Sequence, residues 1–376
     1  MAEHLRQIIG GRHAAGVACA VALACGCAWG GSVPQVTWDA QTLRLVARDG
    51  AYGRMAAVSG RGLIFVCERE RGVVWRQSRD AGATWSEARP VAAWDAGKLA
   101  NPELLELADG ALLCFHNRRP DAGSKQPYAI AVSRLAKGGE AWSAPELLFE
   151  AGSEKENGCW EPAAVQLPSG EIELFFANEA PYRTSDEQEI SLMRSTDGGR
   201  TWSPPERVGF RAGHRDGMPV PLLLANGAGV AVAIEDNGLG GGTLKPAILF
   251  TTLNDVWRSG AVTGDSSRRC PALAEPLPAP TYAGAPYLRQ MPGGETVLAF
   301  QRSDDGEMRH SRIAVGVGDA RARGFGGLSY PFPETPGHAQ LWASLCVKSD
   351  RTITAQGTLT VNGVRGVWSI DGRLGK

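Results

Sequence analysis

The sequence predicts an all-β protein that folds as a six-bladed β-propeller. One hairpin-like unit recurs six times, and helical periodicity is nearly absent after residue 32. Glycine contributes 48 of 376 residues without a Gly-X-Y period, which indicates many tight turns. Units of about 50 to 65 residues, each long enough for four strands, are typical of the blades of a propeller.

Each unit consists of an apolar run, a tight turn that usually contains glycine, and a second apolar run. The turns fall near residues 60, 109, 169, 226, 293 and 349. Two β-rich runs joined by residues that tolerate positive φ predict a hairpin. The alternating segment from Val36 to Ala47 precedes the first unit. We expect it to close the ring by pairing with the C-terminal strand near Gly366 to Ile370.

A second element, with the pattern S-x-D-x-G-x-T-W, follows two strand-like runs at Ser78 to Trp85 and Ser195 to Trp202. The Asp side chain is suited to accept backbone N–H groups across the turn, and the Trp is suited to pack between neighbouring sheets, away from the axis. Both Trp side chains are therefore predicted to be largely buried. A worn copy runs from Ser133 to Trp142, and a fragmentary one from Ser303 to Gly306.

Residues 1–32 are predicted to be a secretory signal peptide, with the propeller domain at residues 33–376. Arg6 and Arg12 precede a nearly uncharged stretch from Ala14 to Gly30, and such a stretch is short for a membrane span. A signal anchor and a lipoprotein modified at Cys25 are the alternatives. We expect a secreted or periplasmic protein.

Charge and cysteine usage exclude several classes of function. The chain carries 39 basic and 40 acidic residues, which gives no electrostatic footprint for nucleic acid or an anionic membrane beyond a possible lipid anchor. Cys19, Cys25 and Cys27 lie in the leader, and the five others are too scattered for a disulfide framework or a zinc site. We expect no metal, no cofactor and a monomer.

The S-x-D-x-G-x-T-W copies are Asp-boxes, and the chain resembles the sialidase-like propellers built from BNR repeats. Its middle part resembles glycoside hydrolase family 93, the exo-acting α-L-arabinanases that release arabinobiose from 1,5-linked arabinan. The matching stretches are Trp160-Glu161-Pro162, Phe176 to Tyr182, Gln188 to Ser191, Ala212 to Pro221, Ile234 to Gly238 and Gly284 to Gln290. The resemblance implies a retaining glycosidase acting on a neutral polysaccharide or oligosaccharide, with Glu161 and Glu235 at the positions of the two catalytic glutamates.

The hairpin pattern also brings Glu161 and Glu235 together. Glu161 opens the third hairpin and Glu235 closes the second strand of the fourth, so antiparallel strands in adjacent blades place both at one axial funnel. We predict Glu161 as nucleophile and Glu235 as acid/base and leave the reverse open; Asp236, on the other face of its strand, is predicted to be structural. The candidate substrate-binding residues are Tyr52, Arg54, Asn101, His116, Glu179, His214, Arg215, Asp216 and Tyr287.

Two other functions remain open at this point. An exo-α-sialidase needs three arginines to grip a carboxylate, and Arg54, Arg215 and Arg289 are available. However, the first blade has Tyr52-Gly53-Arg54-Met55 where sialidases have Phe-Arg-Ile-Pro. A non-catalytic carbohydrate-binding propeller is the other alternative, because 11 Trp residues suit stacking on sugars.

Overall fold

The computed structural model describes residues 34–375, which form 25 β-strands and three short 3-10 turns. The predicted signal peptide at residues 1–32 lies outside the described residues, with Cys19, Cys25 and Cys27. Within the part that is described, no helix is long and apolar enough to cross a membrane.

The first three blades are four-stranded antiparallel sheets in simple chain order. Blade 1 contains β3 (Ala51–Val58), β4 (Gly62–Arg69), β5 (Gly72–Ser78) and β6 (Arg89–Ala93). Blade 2 contains β7 (Gly97–Glu106), β8 (Leu112–Pro120), β9 (Ala129–Leu135) and β10 (Glu146–Glu150). Blade 3 contains β11 (Cys159–Gln166), β12 (Ile172–Asn178), β13 (Glu189–Ser195) and β14 (Glu206–Gly209).

Blades 4 and 5 repeat this plan, and blade 6 uses both ends of the chain. Blade 4 contains β15 (Asp216–Leu223), β16 (Val230–Asp236), β17 (Lys245–Thr251) and β18 (Arg269–Pro271). Blade 5 contains β19 (Tyr287–Gln290), β20 (Thr296–Arg302), β21 (Arg312–Gly318) and β22 (Gly326–Ser329). Blade 6 contains β23 (Leu341–Val347), β24 (Thr352–Val361) and β25 (Val364–Leu374), with β1 (Val36–Trp38) and β2 (Arg44–Arg48) paired to β25.

The six-bladed prediction is confirmed, and so is the closure of the ring. Arg44 pairs with Ser369 and Arg48 with Gly366, so the N-terminal segment supplies the outer strands of blade 6. The predicted hairpin turns are the connections between the first and second strands of the six blades. Radial repetition of this kind leaves only short, protected strand edges, which guards a long β chain against edge-to-edge association.

The S-x-D-x-G-x-T-W turns adopt the local geometry that the sequence predicts. Asp197 accepts hydrogen bonds from the backbone N–H groups of Arg200 and Thr201, both at 2.9 Å. Trp202 packs edge-on against Phe115 of blade 2 at a centroid distance of 5.8 Å. Trp85 and Trp202 pack against Phe65 and Phe115 with most of their surface covered, which agrees with the prediction, although neither is fully buried. Their outer edges reach solvent because the turns lie on the periphery.

Two of the S-x-D-x-G-x-T-W turns differ from the prediction: one predicted copy lies elsewhere in its blade, and one copy was not predicted. Ser303 follows β20, the second strand of its blade, so the fragment there joins β20 to β21 and is not a peripheral turn. Blade 4 carries a divergent version in which Thr251 Oγ1 donates to Asp255 at 2.9 Å. Its Trp257 is 2% exposed and packs on Phe175. This copy does not match S-x-D-x-G-x-T-W because it has neither the Ser nor the Gly.

Candidate active site

A ring of β-bulges shapes the axial end of the propeller. Each blade's first strand, or the segment just ahead of it, contains a non-glycine residue with φ between 47° and 53°, and in five blades the ladder register shifts there. A bulge re-aims its side chain, and positive φ costs a non-glycine residue roughly 1–3 kcal/mol. This bulge ring consists of Tyr52, Asn101, Glu161, Met218, Ala285 and Trp342.

A second ring of side chains fixes the bulges. Five bulge-ring N–H groups donate to a side chain on the second strand of the preceding blade, over 2.6 to 3.0 Å. At the equivalent position of blade 3 stands Ala177, whose side chain has no hydrogen-bond acceptor. The N–H of Met218 therefore donates to the Glu161 carboxylate instead. This acceptor ring consists of Glu68, Asn117, Glu235, Gln301 and Thr358.

Glu161 belongs to the bulge ring and Glu235 to the acceptor ring, and both open into one cavity of about 840 Å³ between blades 3 and 4. The Glu161 bulge is fixed by Asn117, whose Oδ1 accepts its N–H at 2.8 Å. The prediction that these two residues face a common funnel agrees with this placement. The cavity is also lined by Arg119, Trp160, Glu179, Tyr182, Gln188 and Arg215.

The Glu235 carboxylate sits in a cradle that two glycines leave open. A Cβ at Gly217 would stand 3.0 Å from its Oε1, and one at Gly284 would stand 2.7 Å from its Oε2. The Ala285 N–H donates to the same Oε2 at 2.7 Å. Burial raises the pKa of Glu235, and this N–H and the charge of Arg215 oppose the rise. Any larger residue at Gly284 would displace the carboxylate.

The two carboxyl groups are coupled. Burial and then the negative charge of Glu235 raise the pKa of Glu161 to about 7, while Arg119 and the Met218 N–H work in the opposite direction. Like charges that share a site cannot both ionise easily, so ionisation of one of these carboxyl groups opposes ionisation of the other. One carboxylate and one carboxylic acid beside a cavity can act together as nucleophile and proton donor.

Tyr282 stands beside this pair and was missed by the sequence reading. Its hydroxyl would be 2.5 Å from a Cβ at Gly284, next to the Glu235 carboxylate. Burial and the charges of Glu235 and Glu161 raise the pKa of Tyr282, so the phenol stays protonated. The hydroxyl accepts a hydrogen bond from Gln301 at 3.1 Å. The family-like stretch from Gly284 to Gln290 lies directly after it and was the available signal.

Two of the predicted substrate-binding residues line the cavity as an ion pair. Arg215 donates through Nη2 to Glu179 and through Nη1 to the Asp186 carbonyl at 2.7 Å. Their charges therefore largely cancel at the cavity wall. His214 does not line the cavity, because its Nδ1 lies 3.2 Å from Asn237 Oδ1 within the surface loop.

Four other predicted residues do not line the cavity but belong to the packed axis of the propeller. Arg54 is 1% exposed, donates to Glu103 at 2.9 Å, and lies over the rings of Tyr52 and Tyr287. The Tyr287 hydroxyl reaches from blade 5 to Glu103 in blade 2 at 3.0 Å. Asn101 is also buried. The expectation that these groups line one funnel with the glutamates is corrected, since their side chains are buried and do not line the cavity.

His116 and Asp216 are also corrected as substrate-binding residues, because both side chains are completely buried. His116 points into blade 2 near Ser133, and burial lowers its pKa to about 3, so it is neutral. Asp216 pairs with the buried Arg269, which also holds Asp236 at 2.6 Å. Asp236 is structural, as predicted. Alternation along each strand places Asn117 and Glu235, not these neighbours, toward the next blade.

Arg119 is a further cavity residue that the sequence reading missed. It lies near the end of β8, two residues after Asn117, and carries no motif that could have singled it out. Trp160, Tyr182 and Gln188 lay in the quoted family-like stretches but were not chosen. Within residues 34–375, no group of three or more His, Cys, Asp or Glu side chains could hold a metal ion.

Comparison with known proteins agrees with this architecture. Residues 124–270 match the model of the BNR repeat-like domain. No curated protein matches the chain.

Solved structures resemble the whole chain at low identity. The glycoside hydrolase family 93 α-L-arabinofuranosidase of Fusarium graminearum, in complex with arabinobiose, is 19% identical, with 91% of this chain and 97% of that chain covered and a TM-score of 0.64. The Penicillium chrysogenum α-L-arabinanase is 16% identical, with 90% and 97% covered and a TM-score of 0.61. A Dyadobacter fermentans protein of unknown function is 15% identical, with 92% and 98% covered and a TM-score of 0.66.

At these identities the likeness establishes the fold and nothing finer. The chain is a sialidase-like six-bladed propeller, and its fold is similar to that of the glycoside hydrolase family 93 enzymes.

Proposed function

We propose that the protein is a retaining glycoside hydrolase that acts on a neutral glycan, with 1,5-linked α-L-arabinan as the first substrate to test. The observation that carries this proposal is the pair Glu161 and Glu235, two glutamates from adjacent blades that open into one cavity, where burial raises the pKa of both. A glycosidase needs two carboxyl groups beside one bond, one of them protonated. The fold shared with arabinan-degrading enzymes supports the choice of substrate.

In this mechanism Glu161 attacks the anomeric carbon while Glu235 protonates the leaving oxygen. The glycosyl ester on Glu161 is then hydrolysed by water, whose proton returns to Glu235. Arg119 and the Met218 N–H favour the ionised form of Glu161. The raised pKa of Glu161 places the proton of the resting pair on that residue, so in this mechanism the proton moves to Glu235 before Glu161 attacks.

The arginines favour a neutral substrate over a sialoside. Arg54 is buried against Glu103, Arg289 lies 3.7 Å from the same Glu103, and Arg215 is paired with Glu179. Among the described residues, these three guanidinium groups do not converge in the cavity as a sialidase requires. A purely carbohydrate-binding role fits less well, because burying two unpaired carboxyl groups costs stability without serving adhesion.

The test is product analysis on linear 1,5-arabinan and on a panel of sialosides. We expect arabinose oligosaccharides from arabinan and no release of sialic acid. Glu161→Gln and Glu235→Gln should each abolish most turnover without unfolding the protein. Glu68→Gln is the matched control, because Glu68 occupies the acceptor ring in blade 1 and pins Asn101 at 2.8 Å without lining the cavity. Normal hydrolysis by both cavity variants would overturn the proposal.

The location of the enzyme is a separate proposal. The leader at residues 1–32 would direct the chain out of the cytoplasm. A polysaccharide substrate would be encountered there, outside the cytoplasm. N-terminal sequencing of the protein from fractionated cells tests this. A mature chain beginning near residue 33 supports export, and an uncleaved chain in the cytoplasm refutes it.

A further inference from the structure

Arg119 is an arginine of the cavity wall that forms no salt bridge in the described part of the chain. It lies near the end of β8 and lines the cavity beside Glu161. Among residues 34–375 it has no carboxylate within salt-bridge distance, whereas Arg215 on the opposite wall is paired with Glu179. Its Nη2 donates to Asn101 Oδ1; its Nε is buried from solvent and, like that of Arg118, has no hydrogen-bond partner in the described chain. Unsatisfied donors of a charged group are costly to leave inside a protein.

The guanidinium group is nevertheless held in a fixed place. It lies 5.1 Å from the centroid of the Trp160 ring, and Tyr128 packs against that indole at 5.0 Å. The Trp160 ring therefore packs against both Arg119 and Tyr128. It holds the Arg119 guanidinium group in place and is not available for stacking on a sugar ring. The hydrogen bond to Asn101, a bulge-ring residue, fixes the orientation of the planar guanidinium group. A planar donor held in this way is pre-organised for binding.

We propose that Arg119 is a substrate-binding residue that donates to hydroxyl oxygens of the neutral sugar bound next to Glu161. The inference rests on the proposed function, since it assigns a ligand to the same cavity. A sugar hydroxyl or ring oxygen in the cavity accepts from the guanidinium group of Arg119, which lines the cavity wall. Once the pair of glutamates retains a single negative charge, Arg119 balances that charge, so the cavity is matched to an uncharged ligand.

Arg119 also acts on the ionisation of Glu161. Its positive charge lowers the pKa of that carboxyl group against the effects of burial and of Glu235. Removing the charge therefore raises this pKa, so a larger fraction of Glu161 is protonated at a given pH. The charged or titratable groups that face Glu161 are Arg119 from β8, Glu179 after β12, Glu235 from β16, Tyr52 from β3 and Tyr282 ahead of β19.

The experiment compares Arg119→Met with Arg118→Met. Arg118 is the preceding residue on the same strand and its guanidinium lies 5.3 Å from the Trp94 ring, away from the cavity. Steady-state rates on arabino-oligosaccharides are measured across pH 4 to 9, after melting temperatures have shown that both variants fold. Arg119→Lys keeps the charge without the planar fork and serves if the Met variant is unstable.

We expect Arg119→Met to lose about 10- to 100-fold in kcat/KM. The acid limb of its pH–rate profile should move to higher pH. Arg118→Met should stay within about 3-fold of the wild type and keep its pH profile. Arg119→Lys should keep the acid limb of the pH–rate profile in place but bind the substrate more weakly. Equal kcat/KM and equal pH profiles for the two Met variants would overturn the role of Arg119 while leaving the proposed function intact. A wild-type protein that releases no sugar from any neutral glycan would overturn both.

Discussion

Replacing Glu161 by Gln should make the protein more stable at alkaline pH, even though it should abolish turnover. The pKa of this carboxyl group is raised from 4.5 to about 7 in the folded protein. Between those two values the folded state binds a proton that the unfolded state releases. The free energy of unfolding therefore falls as pH rises through this window, and the loss is complete above pH 7.

The size of the effect follows from the same values. A difference between 4.5 and about 7 corresponds to about 3 kcal/mol once Glu161 is fully ionised. The side chain reaches the open cavity, so solvent screening reduces this, and we expect about 1–3 kcal/mol. The amide introduced by Glu161→Gln keeps the shape of the side chain and cannot ionise. The variant should therefore lose less stability between pH 5 and pH 8 than the wild type does.

Urea denaturation at pH 5 and pH 8 measures this difference directly, because the buffer pH is then the only variable within each protein. Glu235→Gln should reproduce part of the effect, since removing the Glu235 charge lowers the pKa of Glu161. If the wild type and Glu161→Gln lose equal stability between the two pH values, the carboxyl groups are not coupled as described. The electrostatic argument for a shared proton would then be wrong.

Three further perturbations test the architecture. Trp257→Ala should cost about 3–5 kcal/mol and Trp202→Ala about 1–3 kcal/mol in chemical denaturation, because Trp257 is fully buried and Trp202 is not; equal costs would contradict the packing. Glu103→Gln should cost about 3–5 kcal/mol by leaving Arg54 buried without a counter-charge, and an unchanged melting temperature would refute that pairing. Ala177→Asn supplies the missing acceptor and should lower kcat without lowering the melting temperature; unchanged kcat would contradict the gap in the acceptor ring.

The blade count and the ring closure could be read from the sequence because both depend on local signals. Alternating apolar runs and glycine turns repeat six times, and Val36 to Ala47 has the pattern of a strand that needs a partner. Glu161 and Glu235 could be placed together for the same reason, since strand direction alone decides which hairpin ends share a face. These predictions required no knowledge of side-chain packing.

The remainder of the ring could not be predicted because the bulges are invisible in the sequence. A positive φ at Tyr52 or Asn101 is not signalled by a glycine, and a bulge changes which face each later residue of the strand presents. Arg54 and Tyr287 are buried against Glu103 instead of lining the cavity. Arg119 was missed because its place in the cavity wall beside Glu161 is visible only in the three-dimensional arrangement.

The central claim is that Glu161 and Glu235 together break a glycosidic bond. It is tested most directly by turnover of an aryl α-L-arabinofuranoside with an activated leaving group, with and without azide. Glu235→Gln should form the covalent intermediate without help and be accelerated by azide, giving an arabinosyl azide of retained configuration, because the good leaving group needs no proton. Glu161→Gln should show no such recovery of the first step. Reversed behaviour would exchange the two roles, and near-normal turnover by both variants in the absence of azide would contradict the claim.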